Sequence, residues 1–190
     1  LWSFAVVDCR VENAFAFDCV EAISTHDSYE ETELNMLHQW NLWCQERDQP
    51  GLSLDLSERC YKTFTQTERR SSLLQQNVAR VLGQIGGVSF EEEVHLPSGY
   101  TVDILIQFND RKDVALEVEG PTHYLVSHPS SQNGTTQLKH RQMRALDNVE
   151  IAVVPYWEWN EIMETQSTGD GNQDCRGVNY LKTLLSIQTK

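Results

Sequence analysis

The stretch "VALEVEGPTHYL", Val114–Leu125, carries two carboxylates, Glu117 and Glu119, inside an otherwise apolar run that Gly120-Pro121 brings to an end. Side chains alternate along a strand, so Glu117 and Glu119 share one face while Leu116 and Val118 share the other. Neighbouring carboxylates repel and resist burial unless a cation, a proton or a basic partner compensates them. An edge strand with one wet face is the plain alternative, and the flanking segments decide between the two. "VSFEEEVHL", "YTVDILIQF" and "DVALEVEG" read as three short strands joined through "PSG" and "NDRK", an antiparallel meander. Such a hairpin sets Asp103 of the second strand beside the Glu117–Glu119 pair.

Upstream of the meander the period is helical. "WSFAVVDC" and "NAFAFDCVEAIS" flank a polar "RVEN" break and read as a helical hairpin. "SYEETELNMLHQWNLWCQERDQPG" is a third helix, with acids in its first turns and Pro50-Gly51 as its stop, and "LSERCYKTFTQT" is a fourth. Leu34, Leu37, Trp40 and Trp43 recur at helical spacing and read as packing residues. "RRSSLLQQNVARVLGQIGG" is a fifth helix, with Leu73, Leu74, Val78, Val81, Leu82 and Ile85 on its apolar stripe. Downstream, "TTQLKHRQMRALDN" reads as a helix and "VEIAVVPYWEW" as a buried strand closed by Pro155, on which Trp157 and Trp159 alternate. "STGDGNQDCRG" is a polar loop and "NYLKTLLSI" a C-terminal helix. Helix, three strands, helix, strand, helix defines an α/β sandwich with a mixed sheet. A division near residue 70 gives an α-helical, repeat-like extension over 1–69 and an α/β domain over 70–190.

Charge is unevenly distributed. The net charge is -13, which argues against non-specific coating of nucleic acid, since phosphate binding is driven by Lys and Arg. From Leu1 to Cys60 twelve acids face three basic residues, Arg10, Arg47 and Arg59. Between Gly120 and Leu146 there is no acid, while Lys139, Arg141 and Arg144 form a cationic island, with His123, His128 and His140 nearby. Glu91, Glu92 and Glu93 read as a solvated strand entry. The five cysteines are scattered without a CxxC pair, which suggests buried free thiols rather than a disulfide framework or a structural zinc site. No apolar run approaches the ~20 residues of a transmembrane helix. The opening "LWSFAVVDCR" has neither a Met nor a basic leader and reads as mid-helix, so the chain is expected to continue a longer polypeptide.

Asp103, Glu117 and Glu119 are the candidate metal ligands: three converging oxygen donors suit Mg²⁺ or Mn²⁺, which orients a phosphodiester and activates water. His123, at the mouth of the strand, completes the candidate catalytic group as an acid, a base or a phosphate contact. Further candidate contacts for a phosphodiester chain are His123, Tyr124, Lys139, Arg141 and Arg144, with Trp157 as a stacking surface.

The blocks "SGYTVDILI", "VALEVEGPTHYL", "TTQLKHRQMRAL", "IAVVPYWEWNEI" and "YLKTLL" resemble successive parts of a RAP domain, the module of organellar proteins in apicomplexans, algae and plants and of the animal FAST-kinase-domain family. The helical N-terminal part is similar to the octotricopeptide-type repeats that precede that module. The resemblance implies a restriction-endonuclease-like fold of the Vsr-like branch of the PD-(D/E)XK nucleases. It also implies an organellar RNA-binding role, in a mitochondrion or else a plastid, on rRNA or mRNA, in RNA processing, stability or translation. Carried over, the nuclease acids are Asp103 and Glu117, with Glu119 where the usual motif has Lys and Leu138 where an acid often precedes the helical Arg. The Vsr-like branch accepts an acid at the Lys position together with a nearby His, which His123 matches.

Three readings follow: an RNA-binding module without catalysis, a metal-dependent ribonuclease, and a docking subunit of a ribonucleoprotein such as a mitochondrial ribosome. The last would meet basic ribosomal proteins through the acidic helices, and none involves a membrane.

Overall fold

A computed structural model describes residues 1–9, 23, 28–66, 71–164 and 173–186. In chain order these form helices α1 (Trp2–Val7), α2 (Glu31–Glu46), α3 (Leu54–Gln66) and α4 (Leu73–Leu82), then strands β1 (Ser89–His95), β2 (Thr101–Gln107) and β3 (Val114–Glu119). A 3-10 turn at Pro121–His123 leads into the short strands β4 (Tyr124–Leu125) and β5 (His128–Gln132). Helix α5 (Gly134–Leu146), strand β6 (Glu150–Pro155) and helices α6 (Tyr156–Glu164) and α7 (Gln173–Leu184) complete the order. The expected helix at "NAFAFDCVEAIS" and the first part of the "STGDGNQDCRG" loop lie outside the described residues. Contacts divide the chain into two compact units. The first comprises Leu1–Arg69, His95–Tyr100 and Asn133–Asp147; the second comprises Arg70–Val94, Thr101–Gln132 and Asn148–Lys190.

The second unit is the mixed α/β layer that the order of elements predicts. Its sheet runs β1-β2-β3-β6, with β2 and β3 antiparallel and β3 and β6 parallel. β3 is therefore interior, and all six of its residues are buried, which rules out the wet edge strand. Ile104, Ile106, Val114, Leu116 and Val118 pack with Val78, Val81 and Leu82 of α4 and Leu181 of α7 in one apolar core. Leu73, expected on the α4 stripe, is the first residue of that helix and is 85% exposed.

Two expectations about the last strand need correction. β6 lies at the edge of the sheet and only Val154 on it is buried, so it is half-exposed rather than a buried strand. Trp157 and Trp159 belong to helix α6 instead. Pro155 has no N–H to extend the ladder, and beyond it Trp159 and Met163 stand one helical turn apart. Trp159 is 1% exposed in the core and donates its Nε1–H to Asn77 Oδ1 at 2.9 Å; Trp157 is half-buried.

In the first unit, α2 starts with a reciprocal cap, in which Glu33 accepts the Glu30 backbone N–H at 2.9 Å and Glu30 accepts from the third helical residue. Trp40 and Trp43 pack with Ala5 of α1 and Leu138 of α5, while Leu34 and Leu37 pack with Leu56 and Cys60 of α3. These aromatics are core, as their spacing predicts. Gly51 lets α2 and α3 turn tightly: Asn41 Oδ1 accepts the Leu52 N–H at 2.9 Å, and a Cβ on Gly51 would stand 2.2 Å from that oxygen. A buried polar chain closes on itself, from Trp2 Nε1 to Gln39 Oε1, Gln39 Nε2 to the Tyr100 hydroxyl, that hydroxyl to Gln142 Oε1, and Gln142 Nε2 to the Gln39 carbonyl.

The four described cysteines are free. Burial pushes the thiols of Cys44 and Cys60 up to about 12 and about 11, so both stay protonated; Cys9 and Cys175 are free but exposed rather than buried as expected.

His38, 3% exposed, donates from Nε2 to the Ser98 carbonyl at 2.8 Å, and burial outweighs that bond in holding its pKa below the ordinary 6.5. The unfolded chain then takes up the proton first as pH falls. Stability is expected to be fully present above pH 6.5 and to decline below it, and His38→Gln should flatten that decline in urea midpoints measured across the range.

Candidate nucleic-acid interface

Parallel strands β3 and β6 end together, with Glu119 opposite Pro155. In α/β sheets ligands bind beyond the carboxyl ends of such strands. Because Val114, Leu116 and Val118 enter the core, Glu117 and Glu119 face the opposite side. On β2, Ile104 and Ile106 enter the same core, which leaves Asp103 on the side of Glu117 and Glu119, and the pairing of Ile104 with Leu116 brings Asp103 alongside Glu117. The three acids thus gather on one face and one rim of the sheet, as the meander predicts. Glu117 is 2% and Glu119 0% exposed.

Asp103 and Glu119 are engaged by the fold in a way that does not fit a shared divalent cation. Asp103 Oδ2 accepts the Val118 backbone N–H at 2.7 Å and so completes the β2–β3 ladder. Both oxygens of Glu119 accept from Gln132 Nε2, at 2.8 and 2.9 Å, and the Tyr124 hydroxyl bonds to the same carboxylate. Among the described residues no three His, Cys, Asp or Glu side chains form a group that could hold a metal ion. A hard cation needs several oxygens at one point, whereas Asp103 Oδ2 and both Glu119 oxygens already accept from N–H or O–H donors.

Gln132 and Tyr124 pair across the β4–β5 hairpin, whose function in the fold is to clasp Glu119. The sequence reading missed this hairpin: "YLVSHPSSQ" is mostly exposed and lacks strand alternation, and Tyr124 next to a carboxylate strand was its only usable signal. A second missed contact ties β1 and β2 to α4. Buried Gln75 donates from Nε2 to Glu93 Oε1 at 2.7 Å and to the Asp103 carbonyl at 3.2 Å. Glu93 has φ +54°, a left-handed conformation uncommon for a strand residue, and it is half-buried and bonded rather than part of a solvated entry.

Around the rim stands an aromatic group. The Tyr124 ring meets Trp157 edge-on with centroids 4.4 Å apart, and Trp157 meets Tyr156 at 5.2 Å. Burial, followed by the bond to Glu119, raises the Tyr124 pKa, so its phenol stays a neutral donor. His123 ends the 3-10 turn just before Tyr124, half-buried, with its backbone N–H donated to the Gly120 carbonyl at 3.1 Å. A cavity of roughly 460 Å³ opens along Tyr156, Trp157, Asn160, Glu161 and Glu164.

The three cations of the basic segment lie on α5, in the first unit. Asn133 caps that helix by accepting the Thr136 N–H at 2.9 Å. Arg141 is committed to structure: Nε donates to Glu46 at 3.1 and 3.3 Å, and the guanidinium also donates to the Ala5 carbonyl at 2.6 Å. Its expected phosphate contact gives way to a tie between α1, α2 and α5. Lys139 is half-buried and Arg144 exposed. Arg141→Ala strands the Glu46 carboxylate and the Ala5 carbonyl and is expected to cost about 1–3 kcal/mol, whereas Arg144→Ala should lie within ~0.5 kcal/mol of the parent in urea unfolding. Equal effects of the two would contradict the assigned partners.

A mixed sheet with acids at one rim and helices packed on its face defines a nuclease-like α/β fold. Residues 116–170 match the family model of the RAP domain, a module associated with RNA binding. The matched segment includes Glu117, Glu119, His123, Tyr124, α5 and the aromatics of α6. No helix of the described residues is long and apolar enough to cross a membrane.

Proposed function

We propose that the chain binds single-stranded RNA at the aromatic rim of its second unit and does not cut it. One observation carries this reading: Tyr124, Trp157 and Tyr156 cluster where β3 and β6 end, beside a cavity large enough for a base. Base–aromatic stacking tolerates any sequence because every base has a π-face. His123 adds a polar contact at the same end, and Lys139 and Arg144 make a separate electrostatic contribution from α5. The engaged carboxylates favour binding over hydrolysis. By its resemblance the work belongs in a mitochondrion, with a plastid as the alternative, on rRNA or mRNA during processing, stabilisation or translation. We also carry forward 1–69 as a repeat-like extension and 70–190 as the RAP domain proper.

The test is an end-labelled RNA oligonucleotide incubated with the chain and Mn²⁺. Intact RNA with retained binding is the expected result; cleavage that Asp103→Ala abolishes would establish the nuclease instead. In the binding arm, Lys139→Ala with Arg144→Ala should lower the slope of log affinity against log salt by roughly 0.7 per lost contact.

A further inference from the structure

The first unit has its own cavity, of roughly 360 Å³, at α2, α3 and the Pro97-Ser98 turn. Its walls include Leu42, Leu54, Pro97 and Leu146, with Glu58 and Tyr61 of α3 among the polar lining. Leu54 is 81% and Tyr61 42% exposed, an unusual outlay of apolar surface. We propose that this cavity receives a lysine or arginine side chain from a basic segment of a protein partner.

The chemistry of the walls sets the occupant. Long basic side chains bury an aliphatic stem and keep a charged head, which matches leucine and proline walls beside a carboxylate and an aromatic ring. Glu58 is the one charged group lining the cavity, so an anion is repelled and a cation is welcome. His38 reinforces this polarity. Its Nε2 donates to a carbonyl, so its Nδ1 is a lone-pair acceptor, and burial keeps the ring neutral. The segment from Leu1 to Cys60, which supplies α2 and most of α3, has twelve acids against three basic residues, a field that draws positively charged chains. An RNA backbone, itself anionic, meets like charge here. This site belongs to the first unit and does not rest on the RNA reading.

The test uses the full chain and fluorescence anisotropy with three short labelled probes: a peptide alternating arginine and leucine, the same peptide with glutamate for arginine, and an oligouridine. The arginine peptide is expected to bind and the glutamate peptide not to. Glu58→Lys with Tyr61→Ala should weaken the arginine peptide by about tenfold or more. Lys139→Ala with Arg144→Ala should leave that affinity unchanged. Glu58 and Tyr61 are exposed, so thermal melts of the variant should match the parent, and the near-isosteric Glu58→Gln provides a second, milder arm. No binding of the arginine peptide, undiminished binding in the double variant, or an oligouridine that loses affinity in the same variant would each overturn the assignment.

Discussion

Trp159→Ala is expected to cost about 3–5 kcal/mol, the largest loss of any single truncation in the second unit. The indole is 1% exposed, sits in the core with Val81 and Leu181, and meets the Tyr180 ring at 6.1 Å. Removing it leaves a cavity that α4 and α7 close only in part, and it strands Asn77, whose Oδ1 accepts the indole N–H at 2.9 Å. Urea unfolding of the variant beside Asn77→Ala separates the two contributions, with about 1 kcal/mol expected for the hydrogen bond alone. A shift for Trp159→Ala as small as that for Asn77→Ala would mean that the indole is not the keystone described here.

Trp157→Ala should have the opposite profile. Its ring is half-buried at the rim, so the variant should fold, but affinity for single-stranded RNA should fall by about 1–3 kcal/mol, or roughly 5- to 150-fold. The loss should be sequence-tolerant and change little with salt, because it removes stacking rather than phosphate contacts. Trp157→Phe keeps a π-face and should recover most of the affinity. Two tryptophans two positions apart are thus expected to divide stability from recognition. RNA binding that survives Trp157→Ala undiminished would remove the rim from consideration.

That division was not legible in the sequence. "YWEW" alternates with period two, and four residues are too few to distinguish a strand end from the first turn of a helix; only Pro155 and the later Met163 favour the helix. The carboxylate face was legible because alternation along β3 is a local property: once Val118 and Leu116 enter the core, Glu117 and Glu119 have one direction left. What those carboxylates touch was not legible. Gln132 reaches Glu119 from a hairpin with no strand signature, and Glu46 and Ala5 lie 95 and 136 positions from Arg141. Residue type and spacing suggest a metal cradle and a row of phosphate contacts; Gln132 on Glu119 and Glu46 on Arg141 make internal ties of these two members.

The acids in the first turns of α2, the Pro50-Gly51 stop and the core roles of Trp40 and Trp43 were legible because each is set within one or two helical turns. The membership of α5 was not. Its sequence is amphipathic, but nothing in it says that Leu138 meets Trp40, Trp43 and Ala5 in the core of the first unit.

That membership bears on how the polypeptide must be made. Helices α1, α2 and α3 emerge early during synthesis, yet the hydrophobic surface that α5 covers stays open until the chain has been extended past Leu146. A recombinant fragment begun near residue 70 would carry α5 without the helices it was shaped to meet, leaving Leu138 wet. Soluble expression therefore calls for an upstream boundary that retains α1, even when only the matched segment is of interest.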